Sequence, residues 1–365
     1  MTLPLPAGYA PMEARLVDEI PAGPGWQYEP KWDGFRCLVF RDGDTVALRS
    51  KAGRPLERYF PDVVAAVRAV PARRFVLDGE LVVPVRGQLS FDDLLQRIHP
   101  APTRVRRLAA ERPAMLIAFD LLVDAEGRSL TARPLAERRP RLEAFARAHL
   151  AGAASIRLSP ATVDLEAARS WLSRAGGNLD GIVAKPLDAP YRSGTREGMV
   201  KVKRARTADC VVGGFRYASG ARVVGSLLLG LYDADGLLHH VGFTSGFPAA
   251  ERKALLARLR PLRGGSGFTG RAPGGPSRWS TERSGEWEPL APRLVAEVAY
   301  DHVTSGRFRH GTRFLRWRPD KAPRQCSMDQ IEAGARPRLT TLLDSAATPR
   351  GGARSRAGTA ARRRG

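Results

Sequence analysis

The sequence predicts an α+β protein of two folded domains. Its first half mixes strand and helix patterns, its second half turns to short strands with one amphipathic helix, and 365 residues are too many for one ordinary core. Composition is globular at 43% apolar residues, yet the formal net charge is +22. Such an excess asks for a polyanionic partner, nucleic acid first. Cys37, Cys210 and Cys326 are far apart and odd in number, which excludes a disulfide framework or a CxxC zinc site and points to a reducing compartment. No apolar run approaches the roughly 18 residues of a membrane span, and MTLPLPAGYAPM lacks the basic start and long apolar stretch of a signal peptide. A cytoplasmic protein with no membrane contact is expected, associated with the nucleoid if the chain is bacterial.

Along the chain, residues 26–50 alternate apolar and polar types around Asp33-Gly34 and Asp42-Gly43-Asp44 turns, so a meander of antiparallel strands is expected there. RYFPDVVAAVRAV suggests a helix, FVLDGELVV (75–83) a strand interrupted at Asp-Gly, FDDLLQRI (91–98) a short helix and AMLIAFDLLV (114–123) a buried strand. Helical spacing returns at 133–150 and 164–175, and DGIVAKPL (180–187) and GMVKVK (198–203) read as strands. A polar stretch at 204–209 marks the boundary, giving a first domain over 1–205.

Beyond it come short strands: VVGGFRY (211–217), SLLLGLYD (226–233), LLHHVGF (237–243), LVAEVAYD (294–301) and RFLRWR (313–318). PAAERKALLARLRPL (248–262) interrupts them as a helix with Leu255, Leu256, Leu259 and Leu262 on one face, followed by a flexible Gly-rich stretch from Gly264 to Gly275. Five strands with one intervening helix suit an OB-type barrel over 206–335. Pro, Ala, Ser, Thr, Gly and Arg dominate 336–365, so a disordered basic tail is expected, its last stretch, 350–365, carrying six arginines for phosphate contacts.

Only seven of the 59 basic residues are lysine. Arginine, with a pKa of roughly 12.5 or more, is useless as a nucleophile, whereas an ε-amine can lose its proton and attack phosphorus. Lysine in this chain therefore marks places where guanidinium fails. Six of the seven, Lys31, Lys51, Lys185, Lys201, Lys203 and Lys321, fall in short motifs; Lys253 sits in an ordinary helix. Lys31-Trp32-Asp33-Gly34-Phe35-Arg36 joins an amine, a carboxylate, a tight turn and a second cation. At pH 7 only about 0.04% of lysines are neutral at the reference pKa, so Lys31 needs Lys185, Lys201, Lys203 or a bound magnesium ion to penalise its ammonium form. The bland alternative is a β-turn with solvated ends.

Alternation puts Val183 and Lys185 on one face, and an inward lysine requires an anionic partner. Lys201 and Lys203 also share a strand face, where like charges repel unless a phosphate lies between them; an exposed basic edge is the plainer reading. The adjacent His239 and His240 would point to opposite faces, and none of the six histidines has zinc spacing.

Read in order, KWDGFR (31–36), RSKAGR (49–54), LDGEL (77–81), AFDLL (118–122), LDGIVAK (179–185), MVKVK (199–203) and RWRPDK (316–321) resemble the covalent nucleotidyltransferases, and most closely the small ATP-dependent DNA ligases of bacteria. The resemblance implies a nucleotidyltransferase (adenylation) domain followed by an OB-fold domain. It implies that Lys31 attacks the α-phosphate of ATP, expels pyrophosphate and forms lysyl-AMP; the adenylate then passes to a DNA 5′-phosphate and a 3′-hydroxyl displaces AMP. Glu29 would recognise the adenine amine, Arg36 and Glu80 hold the ribose and Phe119 stack on the purine, with Lys51, Lys185, Lys201 and Lys203 also at the nucleotide site. Lys51 departs from the Arg common in larger ligases and would meet nucleotide or DNA phosphate.

Glu80 and Asp180 resemble acidic positions near a divalent metal, magnesium or manganese; Asp180 stands where many members carry the longer Glu, which implies contact through water. Arg318, Asp320 and Lys321 would swing over the nucleotide pocket during the first step and withdraw for DNA. The expected substrate is nicked double-stranded DNA, handled by a monomer in repair or recombination, with repair proteins as partners and no DNA-binding domain before Lys31. Basic segments such as 101–113, expected as a surface loop, and the Gly-rich stretch would help grip DNA. An RNA ligase or mRNA-capping-type enzyme would share the Lys31 chemistry, but QRIHPA, LDGIVAKPL and RWRPDKAP look more like DNA ligases. A non-catalytic module binding DNA nicks or ends would not require these lysines.

Overall fold

The computed structural model describes residues 2–173, 179–203, 206–274, 286–331 and 339–344. Two sheets build the first domain. One runs in the order Arg15–Leu16, Val200–Val202, Leu179–Pro186, Trp26–Trp32; the other runs Thr45–Ser50, Phe35–Asp42, Arg74–Val82, Met115–Val123, Ile156–Leu158. Most pairings are antiparallel, but the first strand joins Val200–Val202 in parallel and Ile156–Leu158 joins Met115–Val123 in parallel.

Period-two alternation decides which residues enter the space between the sheets. On Phe35–Asp42, Cys37 and Val39 pack into the core beneath the helices, whereas Leu38 and Phe40 join a second core with Val76, Val123, Tyr191 and Met199. Arg36 shares the parity of Leu38 and Phe40, and Asp78 and Glu80 share that of Val76. On the opposing sheet Tyr28, Ile182 and Ala184 pack outward beneath the helix Leu165–Ser173, so Glu29, Lys31, Val183 and Lys185 alternate to the other face. The helix Pro61–Ala69 starts on proline at N1 and buries Val63 and Val67, one turn apart, on the far side of the second sheet.

In the second domain the order is Leu238–Ser245, Ala221–Tyr232, Arg206–Ala218, Val295–Tyr300, Arg313–Trp317, all antiparallel, with the helix Ala249–Leu259 inserted and Leu255 and Leu259 buried. The sheet curls until its outer strands approach at a single bridge, Thr244 to Thr312, so the barrel is not closed by a continuous ladder.

Several local expectations change. Asp78-Gly79 lies inside one continuous strand, Arg74–Val82, because Gly79 lets the neighbouring strand come close: a Cβ there would sit 2.8 Å from the Ile117 carbonyl oxygen. Segment 101–113 is largely a helix, Pro102–Glu111, whose Val105 and Leu108 are buried at i, i+3 spacing. The described part of the Gly-rich stretch is anchored by Phe268, which packs in the barrel core, while most of its neighbours are exposed. Within the tail expected to be disordered, Leu339–Asp344 is a helix whose Leu339, Leu342 and Leu343 pack with Trp32, Leu89 and Leu179 of the first domain. Residues 345–365, with the six-arginine stretch, lie outside the described residues. Among the described residues no helix is long and apolar enough to cross a membrane.

Candidate active site

The inward faces of the two sheets leave an open cleft of about 720 Å³, and Glu29, Lys31, Arg36, Lys51, Glu80, Phe119, Lys185 and Lys201 all line it. Two glycines make this convergence possible. A Cβ on Gly34 would lie 2.2 Å from the Leu81 carbonyl oxygen, so the turn between Lys31 and Arg36 can press against Glu80–Leu81 only as glycine. Gly181 has φ +146° and would place a Cβ 2.0 Å from the Val202 carbonyl oxygen, which lets the Asp180 strand cross beside Lys201 and Lys203.

At one end of the cleft, Lys185 finds the anionic partner its inward position requires. Its Nζ is 2.8 Å from Glu29, and both side chains are almost wholly buried. Gln27 donates to the other Glu29 oxygen at 2.7 Å. Phe119 has the Arg36 guanidinium 4.6 Å and the Lys185 ammonium 4.9 Å from its ring centre, cation–π contacts that fix the ring. Arg36 is in turn clamped by Asp78, Nε and Nη2 donating at 2.5 and 2.6 Å. Burial alone would lower the Arg36 pKa; the Asp78 charge and hydrogen bonds outweigh it, so the cation is secure.

At the other end Lys31 Nζ is ion-paired with Asp180. Asp180 also takes Lys203 at 3.1 Å and His302 Nε2 at 2.6 Å. Burial pushes the Asp180 carboxyl up, but the hydrogen bond from His302 and the charges of Lys31, His302 and Lys203 prevail and hold it well below the usual carboxylate range. His302 belongs to the second domain, as does Arg309, which donates to both oxygens of Asp33 and stacks on Phe91. The barrel thus reaches the Lys31–Arg36 turn itself.

Lys51, more than half exposed, pairs with Glu13 at 2.9 Å. Lys201 is pushed below the ordinary lysine value, by burial first and then by Lys31, Lys203 and Lys51. The cation cluster is real, but Lys203 lies on Asp180 and Asp301 outside the residues lining the cleft. Burial raises the Glu80 carboxyl to about 7 against the lowering pull of Lys31 and Arg36.

Arg318, Asp320 and Lys321 are not at the cleft. Arg318 donates to Asp209 at 2.9 Å and to Asp320 at 2.8 Å, and Lys321 donates to Asp209 at 2.7 Å, so internal ion pairs hold the motif on the barrel. The orientation shown presents His302 and Arg309 to the site instead. Asp78, Tyr191, His302, Arg309 and Asp209 were not singled out by sequence. Asp33 and Asp78 lie inside recognised motifs, but His302 and Arg309 carry no local pattern; their partners are 122 and 276 residues away.

DNA ligase C of Mycobacterium tuberculosis is 45% identical over 359 residues, covering 94% of this chain and 98% of that protein. The multifunctional non-homologous end joining DNA repair protein LigD of the same species is 33% identical over 304 residues, 82% of this chain but 37% of that longer protein. A solved Lig E DNA ligase shares the fold at TM-score 0.53 and 19% identity, over 85% of this chain and 99% of that one. Residues 11–203 match the family model of the ATP dependent DNA ligase domain and residues 220–321 that of the ATP dependent DNA ligase C terminal region. With a lysine-lined cleft in the first of these regions and a barrel in the second, the chain belongs to the ATP-dependent DNA ligases.

Proposed function

We propose that this ligase seals 3′-hydroxyl/5′-phosphate nicks in double-stranded DNA, with Lys31 as the nucleophile. The observation that carries the reading is the convergence of Lys31, Lys201, Glu29, Arg36, Glu80, Phe119 and Lys185 on one cleft. Lys31 Nζ would form a bond to the α-phosphorus of ATP while the bond to pyrophosphate breaks. Its proton must leave, and Asp180, held low, is a counter-charge and a poor acceptor, so the proton goes to solvent. A DNA 5′-phosphate oxygen then takes the adenylate from Lys31, and the 3′-hydroxyl oxygen attacks the 5′-phosphorus, expelling AMP. These transfers rest on positioning and charge neutralisation.

Glu29 keeps acceptor capacity beyond Gln27 and Lys185 and would take a hydrogen bond from the adenine amine. Phe119 would support the purine, Arg36 and Glu80 the ribose, and Lys51, Lys185 and Lys201 the phosphates. Arg318, Asp320 and Lys321 would serve the first step in a different barrel orientation.

A divalent ion, magnesium or manganese, fits Glu80. Its carboxyl accepts no hydrogen bond among the described residues, and burial leaves it half-protonated near neutrality, so an oxygen-seeking cation would supply what it lacks. Asp180 fits less well, since Lys31, Lys203 and His302 already occupy it. Such an ion would neutralise charge on the transferring phosphate. No group of three or more metal-binding side chains exists among the described residues, which suits a magnesium that keeps most of its waters.

The similarity to an end-joining repair protein supports a role in DNA repair, with repair proteins as partners. To test the enzymatic reading, pure protein is incubated with magnesium and α-labelled ATP, then resolved by denaturing electrophoresis. Acid-labile label absent in Lys31→Ala and discharged by nicked DNA is expected. Labelling by GTP alone, or none, would overturn it.

A further inference from the structure

We propose that Tyr191 is a positioning residue for nucleotide selection: its hydroxyl, acting through Asp78 and Met12, holds Arg36 in the orientation that reads the ribose hydroxyls. The proposal rests on the reading of Arg36 as a ribose contact. Four residues far apart in sequence close one ring of hydrogen bonds. The Met12 backbone N–H donates to Tyr191 Oη at 2.9 Å, and Tyr191 Oη–H donates to Asp78 Oδ2 at 2.6 Å. Asp78 accepts from Arg36 Nε and Nη2, and Arg36 Nη2 also donates to the Met12 carbonyl at 3.1 Å.

Each link limits Arg36 in a different way. Nε and Nη2 are consumed, so the planar guanidinium has one orientation, and Nη1, which makes no hydrogen bond among the described residues, keeps its N–H groups for a ligand. Asp78 is fully buried, so its oxygens cannot turn to water when a donor is lost. Met12 lines the cleft on a segment whose sheet attachment is the two-residue strand Arg15–Leu16. Removing the phenol O–H therefore loosens the clamp behind Arg36 and the cleft wall together.

Tyr191 is itself held from behind. Its N–H donates to the Thr131 carbonyl at 2.9 Å, and its ring meets the Arg138 guanidinium at 5.8 Å. Arg138 is buried and paired with Asp120. Burial and the Asp78 charge push the Tyr191 hydroxyl well above its ordinary pKa, so it stays a donor at any working pH.

The test is the rate of Lys31 adenylation by the full chain with ATP, 2′-deoxy-ATP and 3′-deoxy-ATP, for wild type, Tyr191→Phe, Arg36→Ala and the double variant. Tyr191→Phe is expected to lower the preference for ATP over at least one deoxynucleotide by roughly tenfold, mainly through KM, and to change nothing further in the Arg36→Ala background. 4-Aminophenylalanine at position 191 keeps the donor to Asp78 but accepts poorly from Met12, so it should restore most of the preference; as a milder variant it also serves if Tyr191→Phe does not fold, and selectivity as low as that of Arg36→Ala in it would overturn the proposal. If Arg36→Ala erases selectivity while Tyr191→Phe keeps it, Tyr191 is overturned and the ribose reading stands. If Arg36→Ala leaves selectivity intact, the ribose reading falls, and Tyr191 with it.

Discussion

Arg309 of the barrel donates to both carboxylate oxygens of Asp33, two residues after Lys31, at 2.7 and 3.2 Å. Both side chains are mostly buried, so the pair ties the position of the barrel to the turn that follows Lys31. In this orientation Arg318 and Lys321 are engaged by Asp209, away from the cleft. We infer that the clamp serves the DNA-handling steps rather than the reaction with ATP.

Arg309→Ala should accordingly slow sealing of pre-adenylated enzyme on nicked DNA by at least tenfold, the size expected when one partner of a buried charge pair is truncated, and leave Lys31 adenylation within about threefold. Single-turnover measurements of the two steps check this. Asp33→Asn combined with Arg309→Ala should cost much less than the sum of the two; additive losses would mean the pair does not act as a unit.

Lys185→Ala should destabilise the protein as well as disable it. Glu29 would be left buried with Gln27 as its remaining side-chain partner, a change of about 3–5 kcal/mol where a buried pair loses one member. Adding Glu29→Gln should return part of that stability without restoring activity. Denaturant melts and activity assays of wild type and the two variants separate the two effects.

Glu80 makes stability depend on pH in a defined direction. Its folded pKa, about 7, exceeds the ordinary value of 4.5, so the folded protein holds a proton that the unfolded chain has lost between those values. Protons are taken up on folding, and the contribution of Glu80 falls as pH rises from about 4.5 through 7. Glu80→Gln should therefore gain melting temperature relative to wild type between pH 5 and 8. Magnesium should narrow the difference at pH 8 by favouring the wild-type carboxylate, and chelation should restore it. A pH-independent difference would contradict the burial of this carboxyl.

Ending the chain after Ile331 removes the helix that covers Trp32, Leu89 and Leu179. With three buried leucines at stake, the melting temperature should drop by roughly 5 °C and binding of a hydrophobic dye should rise. An unchanged melt would show that the helix adds no net stability.

Much of the site was legible because it depends on local rules. A strand alternates every two residues, so Glu29 with Lys31, Val183 with Lys185, and Arg36 with Leu38 had to share faces, and the need of an inward lysine for an anionic partner was legible, though its identity as Glu29 was not. Gly34 and Gly181 marked places where a turn or bulge brings backbone against backbone. The order of strands around one inserted helix likewise survives in Arg206–Ala218 through Arg313–Trp317. Expected disorder failed at Leu339–Asp344 because composition is silent about an apolar face that another domain covers.

What tertiary structure alone decided is which charge meets which. Asp180 gathers Lys31, Lys203 and His302; Arg318 and Lys321 rest on Asp209 in the orientation shown; Arg36 owes its orientation to Asp78 and Tyr191. The sequence by itself determined the inventory of reactive groups and the face each would occupy, since those follow from residue chemistry and strand period. Pairing across domains follows from distances set by packing, and partners more than a hundred residues apart leave no periodic trace in the chain.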